Sequence, residues 1–324
     1  MRFLVTGSSG FIGSYLCRRL LEDNSNRVVG IDNMNDYYDV SLKEDRLKKL
    51  KENPNFTFYK VDIADKEEVF KIFEKENFDI VINLAAQAGV RYSIDHPDCY
   101  INSNVLGFYN ILEACRRYPV KKLLFASSSS VYGNNKKTPY KTTDMVDTPV
   151  SLYAATKKSN ELMAYAYSNL YNIPVVGLRF FTVYGPMGRP DMAYYLFTKR
   201  IMEDKPIKVF NKGDMYRDFT YVEDIVDGIT ALIPIDIPAD ENNIKYKIYN
   251  IGNNHPVKIS EFIKILEKLI GKEAKKEFLP MQDGDVYKTF ADIDELTKDT
   301  GFSPKTSIEE GLEEFVKWYK EYYK

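Results

Sequence analysis

Histidine and cysteine are nearly missing from this 324-residue chain, which has two of the first and three of the second, with one tryptophan and two glutamines. Cys17, Cys99 and Cys115 stand in helix-like contexts without paired spacing, so a disulfide framework is excluded and packing thiols are expected. His96 and His255 each precede a proline with no other ligand type clustered around them, and neither metal binding nor histidine chemistry is expected. No apolar run approaches the ~18 residues of a membrane span, and Met1 leads straight into a strand and a glycine turn. A cytoplasmic protein with no membrane partner follows as the expectation. The net charge of -2 supplies no basic field for nucleic acid, so an anionic ligand has to be held by a few placed groups.

What is present is an ordinary globular composition, 44% hydrophobic and 28% charged, long enough for one large α/β unit or two domains. Residues 3–6 form a short apolar run ending at Gly7, and Gly7, Gly10 and Gly13 fall three apart before an amphipathic stretch over 11–21. The pattern reads strand, glycine turn, helix. Glycines let the backbone turn sharply and approach a pyrophosphate, while the helix start at Phe11, Ile12 and Gly13 offers free N–H groups to the anion. A second strand over 27–31 ends in Asp32, with Asn33 beside it, about twenty residues after the last glycine. A carboxylate there accepts ribose hydroxyls and repels a 2'-phosphate, so the cofactor is read as NAD.

Strand and helix patterns then alternate: helix 42–51, strand 56–61, helix 66–76, strand 80–83, helix from about 98 to 117, strand 122–126 and strand 174–179. This rhythm predicts an α/β fold, a doubly wound parallel sheet of the Rossmann kind. Ligands bind beyond strand C-termini in such sheets, which places Asp62, Ile63, Leu84, Ala85, Ala86 and Gln87 along the cofactor crevice. The aromatic loop over 33–41 is long for its position and suggests a flap or a dimer contact. Past about residue 180 the rhythm is lost. The expected division is a cofactor domain over 1–180, with a returning segment near 215–255, and a smaller C-terminal α/β substrate-binding domain over 181–324.

Chemistry is expected where Tyr153 precedes Lys157 by four residues on a predicted helix, one turn apart on one face. A phenol with a pKa of ~10 becomes a usable base when a positive group favours the phenolate, and the ammonium is expected to lie beside the phenolic oxygen. Strand 122–126 opens into four serines, residues 127–130, which deliver hydroxyls to the same ligand side.

Together, the glycine turn, Asp32, Asp62 and Ile63, residues 83–86, residues 127–133 and the Tyr153/Lys157 pair resemble the extended short-chain dehydrogenases/reductases of the nucleotide-sugar branch. Residues 33–39, 90–93, 127–133 and 179–193 most resemble UDP-glucuronate 4-epimerases, although Met187 stands where that family usually carries Trp and Asp283 where it usually carries Pro. The resemblance implies Tyr153 as acid/base, Lys157 as its partner and a ribose ligand, and Ser128 as the hydroxyl on the sugar O4. It also implies Arg217 on the pyrophosphate and Asp285 on the uridine ribose. Thr182 and Arg189 are the candidates for the sugar carboxylate, with Ser129, Ser130 and Arg91 adding to the substrate site. The implied activity is NAD-dependent C4 epimerisation of UDP-glucuronate through a 4-keto sugar, in a homodimer packed through helices over about 98–117 and 151–171. A UDP-glucuronate decarboxylase, a neutral UDP-hexose 4-epimerase and a non-catalytic dinucleotide sensor are the alternatives.

Overall fold

The computed structural model describes residues 1–281 and 286–324, so Asp283 and Asp285 lie outside the described residues. Its strands are Arg2–Thr6 (β1), Arg27–Asp32 (β2), Phe56–Lys60 (β3), Ile80–Asn83 (β4), Lys122–Ser128 (β5), Val175–Phe180 (β6), Thr182–Tyr184 (β7), Ile207–Phe210 (β8), Tyr216–Tyr221 (β9), Tyr246–Ile251 (β10), Pro256–Lys258 (β11) and Lys276–Leu279 (β12). The helices are Phe11–Leu20 (α1), Ser41–Lys51 (α2), Lys66–Glu76 (α3), Tyr92–Asp95 (α4), Pro97–Tyr100 (α5), Gly107–Arg117 (α6), Leu152–Tyr171 (α7), Ala193–Met202 (α8), Val222–Ala231 (α9), Ile259–Ile270 (α10), Asp294–Thr300 (α11) and Ile308–Tyr322 (α12).

Seven strands make one sheet in the order β10-β6-β5-β4-β1-β2-β3, parallel throughout. Side chains alternate across a strand, and β1 shows the consequence. Phe3 and Val5 enter one core with Phe11 and Leu16 of α1 and Ile225 and Ile229 of α9, while Leu4 enters the opposite core with Val69 of α3 and Ile111 of α6. Both faces are thereby covered, as a parallel sheet requires. The chain reverses direction of growth between β1 and β4, and the crevice at their C-terminal ends is where such sheets take a ligand.

Beyond β6, β7 pairs with β9 and β9 with β11, and β8 pairs with β12. These pack with α8, α10 and α12 around a third core containing Tyr194, Phe219, Phe262 and Phe315. Two segments leave this lobe and rejoin the large sheet. Strand β10 pairs with β6 along its whole length, and α9 lies against α1.

The single helix expected over about 98–117 is instead α5, a π-helical turn at Ile101–Leu106, and α6. The wider turn lets Asn104 reach inward. Its side chain accepts from the Gln87 backbone N–H at 2.7 Å and donates to the Gln87 carbonyl at 3.0 Å and to Thr156 Oγ1 at 3.1 Å. Among the described residues no helix is long and apolar enough to cross a membrane.

Candidate active site

Helix α1 begins without a side-chain cap and without an acidic residue in its first turn, so its leading N–H groups open onto the crevice. The backbone there is too tight for side chains. A Cβ on Gly13 would lie 2.1 Å from the Gly7 carbonyl oxygen, and Gly7 itself adopts a left-handed φ of +69°. Asp32, buried at the end of β2, accepts from the Ser9 N–H at 3.1 Å on one oxygen and from the Met34 N–H at 2.9 Å on the other. Each oxygen retains a lone pair for a sugar hydroxyl. Asn33 donates to Asp62 at 2.9 Å, which links the ends of β2 and β3. A bare helix start, a glycine cradle and a fixed carboxylate together fit a dinucleotide.

One cavity joins these groups to the chemistry. Its wall runs from Gly7, Gly10, Phe11, Ile12 and Gly13 past Asp32, Asn33, Asp62 and Ile63. It continues through Leu84, Ala85, Ala86 and Gln87 to Ser128, Tyr153, Lys157 and Arg189. Arg91, Ser129, Ser130, Thr182 and Arg217 stand outside this wall. The Arg91 guanidinium lies over the Phe210 ring at 5.3 Å, and Arg217 donates to the Tyr216 carbonyl at 2.9 Å.

Helix α7 positions the tyrosine. Ser151 caps it, its hydroxyl accepting from the Ala154 N–H at 3.1 Å, and Tyr153 falls in the first turn at the positive end of a 20-residue helix. Ser128 ends β5, and its oxygen accepts from the Ser130 N–H at 3.2 Å and the Ser130 hydroxyl at 2.9 Å. That leaves the Ser128 hydrogen for Tyr153. Burial raises the Tyr153 pKa, and the Ser128 hydrogen bond and the Arg189 charge oppose the rise.

The Lys157 ammonium stands 5.9 Å from the Tyr153 ring centroid and donates to the Ala126 carbonyl at 3.0 Å, a partner that the sequence expectation did not include. Burial depresses its pKa from 10.5 to about 8. The lysine is thus tied to β5, with two further N–H groups available to a ligand.

Arg189 makes a two-pronged ion pair with Asp191, Nε to Oδ1 at 3.0 Å and Nη2 to Oδ2 at 2.5 Å, and Tyr37 donates to the same Asp191 oxygen at 3.1 Å. Burial opposes ionisation of Asp191, but the Arg189 charge and these hydrogen bonds outweigh it and hold the carboxyl below its ordinary value.

Two cations of α2 escaped the sequence reading. Lys43 is buried in the cavity wall and donates to the carbonyl and the side-chain oxygen of Asn35 at 2.8 and 2.7 Å. Arg46 donates to the Ser9 carbonyl at 3.1 Å, the Tyr38 hydroxyl at 2.7 Å and the carbonyls of Met187 and Gly188. It thereby staples the glycine turn to the loop carrying Arg189. The signal was available, because positions 43, 46, 47 and 50 share one helix face and Leu47 and Leu50 are core residues. A cation at such a position has a buried task.

A doubly wound sheet with a serine, a tyrosine and a lysine at the cofactor mouth defines an enzyme of the extended short-chain dehydrogenase/reductase type. The chain belongs to the NAD dependent epimerase/dehydratase family, whose model matches residues 3–252. It is 52% identical over 337 residues to Protein CapI of Staphylococcus aureus, covering 100% of both chains. It is 46% identical to UDP-glucuronate 4-epimerase of Thermodesulfobacterium geofontis, covering 98% of this chain and 96% of that one. Its fold is similar to the crystal structure of UDP-glucuronic acid 4-epimerase from Bacillus cereus in complex with UDP-glucuronic acid and NAD, with a TM-score of 0.92, 37% identity and 100% of both chains covered.

Proposed function

We propose that this protein interconverts UDP-glucuronate and UDP-galacturonate by NAD-dependent epimerisation at C4. The observation that carries the reading is that Ser128, Tyr153, Lys157 and Arg189 border one cavity with the dinucleotide cradle. Relatives named as UDP-glucuronate 4-epimerases support the same substrate.

NAD supplies the means to oxidise C4 of the sugar and reduce it again. Tyr153 takes the O4 proton and returns it, Ser128 orients O4, and the free N–H groups of Lys157 hold the ribose nearest the reacting carbon. Asp32 holds the other ribose, and Lys43 stands beside it. Arg217 and Asp285 are assigned to the UDP moiety, and Arg91 to the sugar end. The carboxylate falls to Arg189, with Thr182, Ser129 and Ser130 adding hydrogen bonds. We assign residues 1–180 and, from the returning segment near 215–255, α9 and β10 to the cofactor lobe, with β9 and the remaining C-terminal residues in the UDP-sugar lobe. The protein is proposed to act in the cytoplasm as a homodimer, without nucleic-acid or membrane partners. Exposed Ile101, Leu106, Leu162, Tyr165 and Leu170 on the π-helical turn and α7 supply an apolar face for the second copy.

The test is to incubate the purified protein with UDP-glucuronate, without added cofactor, and follow the sugar by proton NMR. UDP-galacturonate without carbon dioxide is the expected result, and Tyr153→Phe should abolish it. UDP-xylose would move the assignment to a decarboxylase. No reaction would return neutral UDP-hexoses and the sensor reading to the front.

A further inference from the structure

Oxidising a uronic acid at C4 makes a β-keto acid, which can lose carbon dioxide, and in this structure Arg189 is held by neighbours that restrict its orientation. A guanidinium has two edges that can take a carboxylate, one formed by Nε with Nη2 and the other by Nη1 with Nη2. Asp191 occupies the first. The second edge is the one a sugar carboxylate can share with it.

Arg189 is fixed from several directions. The Tyr37 hydroxyl donates to Asp191, and the Tyr37 ring lies 5.9 Å from the Arg189 guanidinium carbon. Tyr37 is itself wedged, edge-on to Tyr92 at 4.8 Å and so close to Gly89 that a Cβ there would come within 2.6 Å of its hydroxyl oxygen. Behind Arg189, Arg46 binds the carbonyls of Met187 and Gly188. The Arg189–Asp191 pair is itself partly exposed, 23% and 32%, so its orientation is restricted by Tyr37 and Arg46 and not by burial.

We propose that Asp191 and Tyr37 are positioning residues that fix the angle at which Arg189 holds the sugar carboxylate, and so suppress loss of carbon dioxide from the 4-keto sugar. The inference rests on the uronate reading above. In the unwanted step the C5–C6 bond breaks and its electron pair enters the C4 carbonyl as an enolate. Carbon dioxide leaves, and C5 later takes a proton from water. The step requires the C5–C6 bond to stand parallel to the carbonyl π orbital. An arginine clamped on its first edge can present the second in one orientation only, which holds that bond near the carbonyl plane. An arginine free to swing cannot.

The test is the product ratio. UDP-glucuronate labelled with carbon-13 at C6 is given to wild type, Asp191→Asn, Tyr37→Phe and Asp191→Glu, and labelled carbon dioxide and UDP-galacturonate are followed together by NMR. Asp191→Asn is expected to raise the ratio of carbon dioxide to epimer by about tenfold or more, and Tyr37→Phe by a smaller factor, since misplacement of the order of 1 Å costs about 100-fold in positioned reactions. Asp191→Glu should restore part of the wild-type ratio. A general structural defect would slow both products and leave the ratio alone. An unchanged ratio in both Asp191→Asn and Tyr37→Phe overturns the proposal, as does a lower KM for UDP-glucuronate with an unchanged ratio, which would make Asp191 a competitor for Arg189. Wild type that leaves UDP-glucuronate untouched removes the uronate reading and this inference with it.

Discussion

Glu161 and Arg179 form a bidentate ion pair at 2.8 and 2.9 Å, their side chains 4% and 3% exposed. Glu161 stands one turn beyond Lys157 on α7, and Arg179 lies on β6. The pair has further partners. Ser127, next to Ser128, donates to Glu161 at 2.6 Å, and Arg179 donates to the Tyr132 hydroxyl at 3.0 Å, which in turn donates to Asn250 at 2.7 Å.

Removing one partner leaves a buried charge without compensation. Glu161→Ala is expected to lose about 3–5 kcal/mol in urea unfolding. Replacing both residues with Met should recover much of that loss. A single variant within about 1 kcal/mol of wild type, the usual value of an exposed pair, would show that the network is solvated.

Lys157 predicts a pH signature in the cofactor-free protein. Its folded pKa, about 8 against 10.5, is depressed, so between those values the unfolded chain binds the extra proton and stability rises with pH. Below pH 8 both states are protonated and the contribution is flat at its least favourable level. Wild type minus Lys157→Met should therefore gain up to about 3 kcal/mol across that window in urea midpoints taken at constant salt. A difference that stays level from pH 7.5 to 10 would contradict the burial of the cation.

Gly13→Ala should fold and fail to hold NAD. The added carbon meets backbone, the Gly7 carbonyl, and cannot be relieved by a rotamer change, so the cradle must open. Circular dichroism near wild type with NAD affinity down about 100-fold or more is the expected pair of results, on the scale of geometric misplacement in a fitted site. Titration showing wild-type NAD affinity would relocate the pyrophosphate.

Arg46→Lys and Arg189→Ala should separate two kinds of loss. One flexible ammonium cannot serve the Ser9, Met187 and Gly188 carbonyls together. Arg46→Lys is expected to weaken NAD binding and raise the KM for UDP-glucuronate together, each about tenfold or more, since both loops shift. Arg189→Ala should impair uronate turnover far more than NAD binding. Equal loss of both in Arg189→Ala would sink its assignment to the carboxylate.

The parts of this molecule written in local patterns were legible in the chain. Residues 3–6, 27–31 and 80–83 read as strands because both faces are buried, and the glycine turn, Asp32 and the Tyr153/Lys157 spacing are each set within one or two turns of backbone. What the sequence withheld depends on distant partners. The carbonyl that takes Lys157 is 31 residues away, Arg46 meets Met187 across 141, and Tyr37 meets Asp191 across 154. The π-helical turn was invisible for a related reason. Residues 101–106 are mostly weak helix formers, Ile-Asn-Ser-Asn-Val-Leu, but propensity does not say that a turn widens, and here it widens where Asn104 reaches Gln87, a contact between elements.

The edge position of β10 bears on how the chain is made. The strand neighbouring β6 is supplied by residues 246–251, and α9, which covers α1, by residues 222–231. A ribosome releases the chain from its N-terminus, so the nucleotide cradle is synthesised first and finished late. Until residue 251 has emerged, β6 is an open edge carrying Val175, Val176 and Leu178, all apolar, with nothing to pair against. Nascent chains halted near residue 200 should therefore be sticky and protease-sensitive, and those halted well past residue 260 should not. Birth order and folding order are therefore expected to differ, and the interval between them leaves the β6 edge open to mispairing.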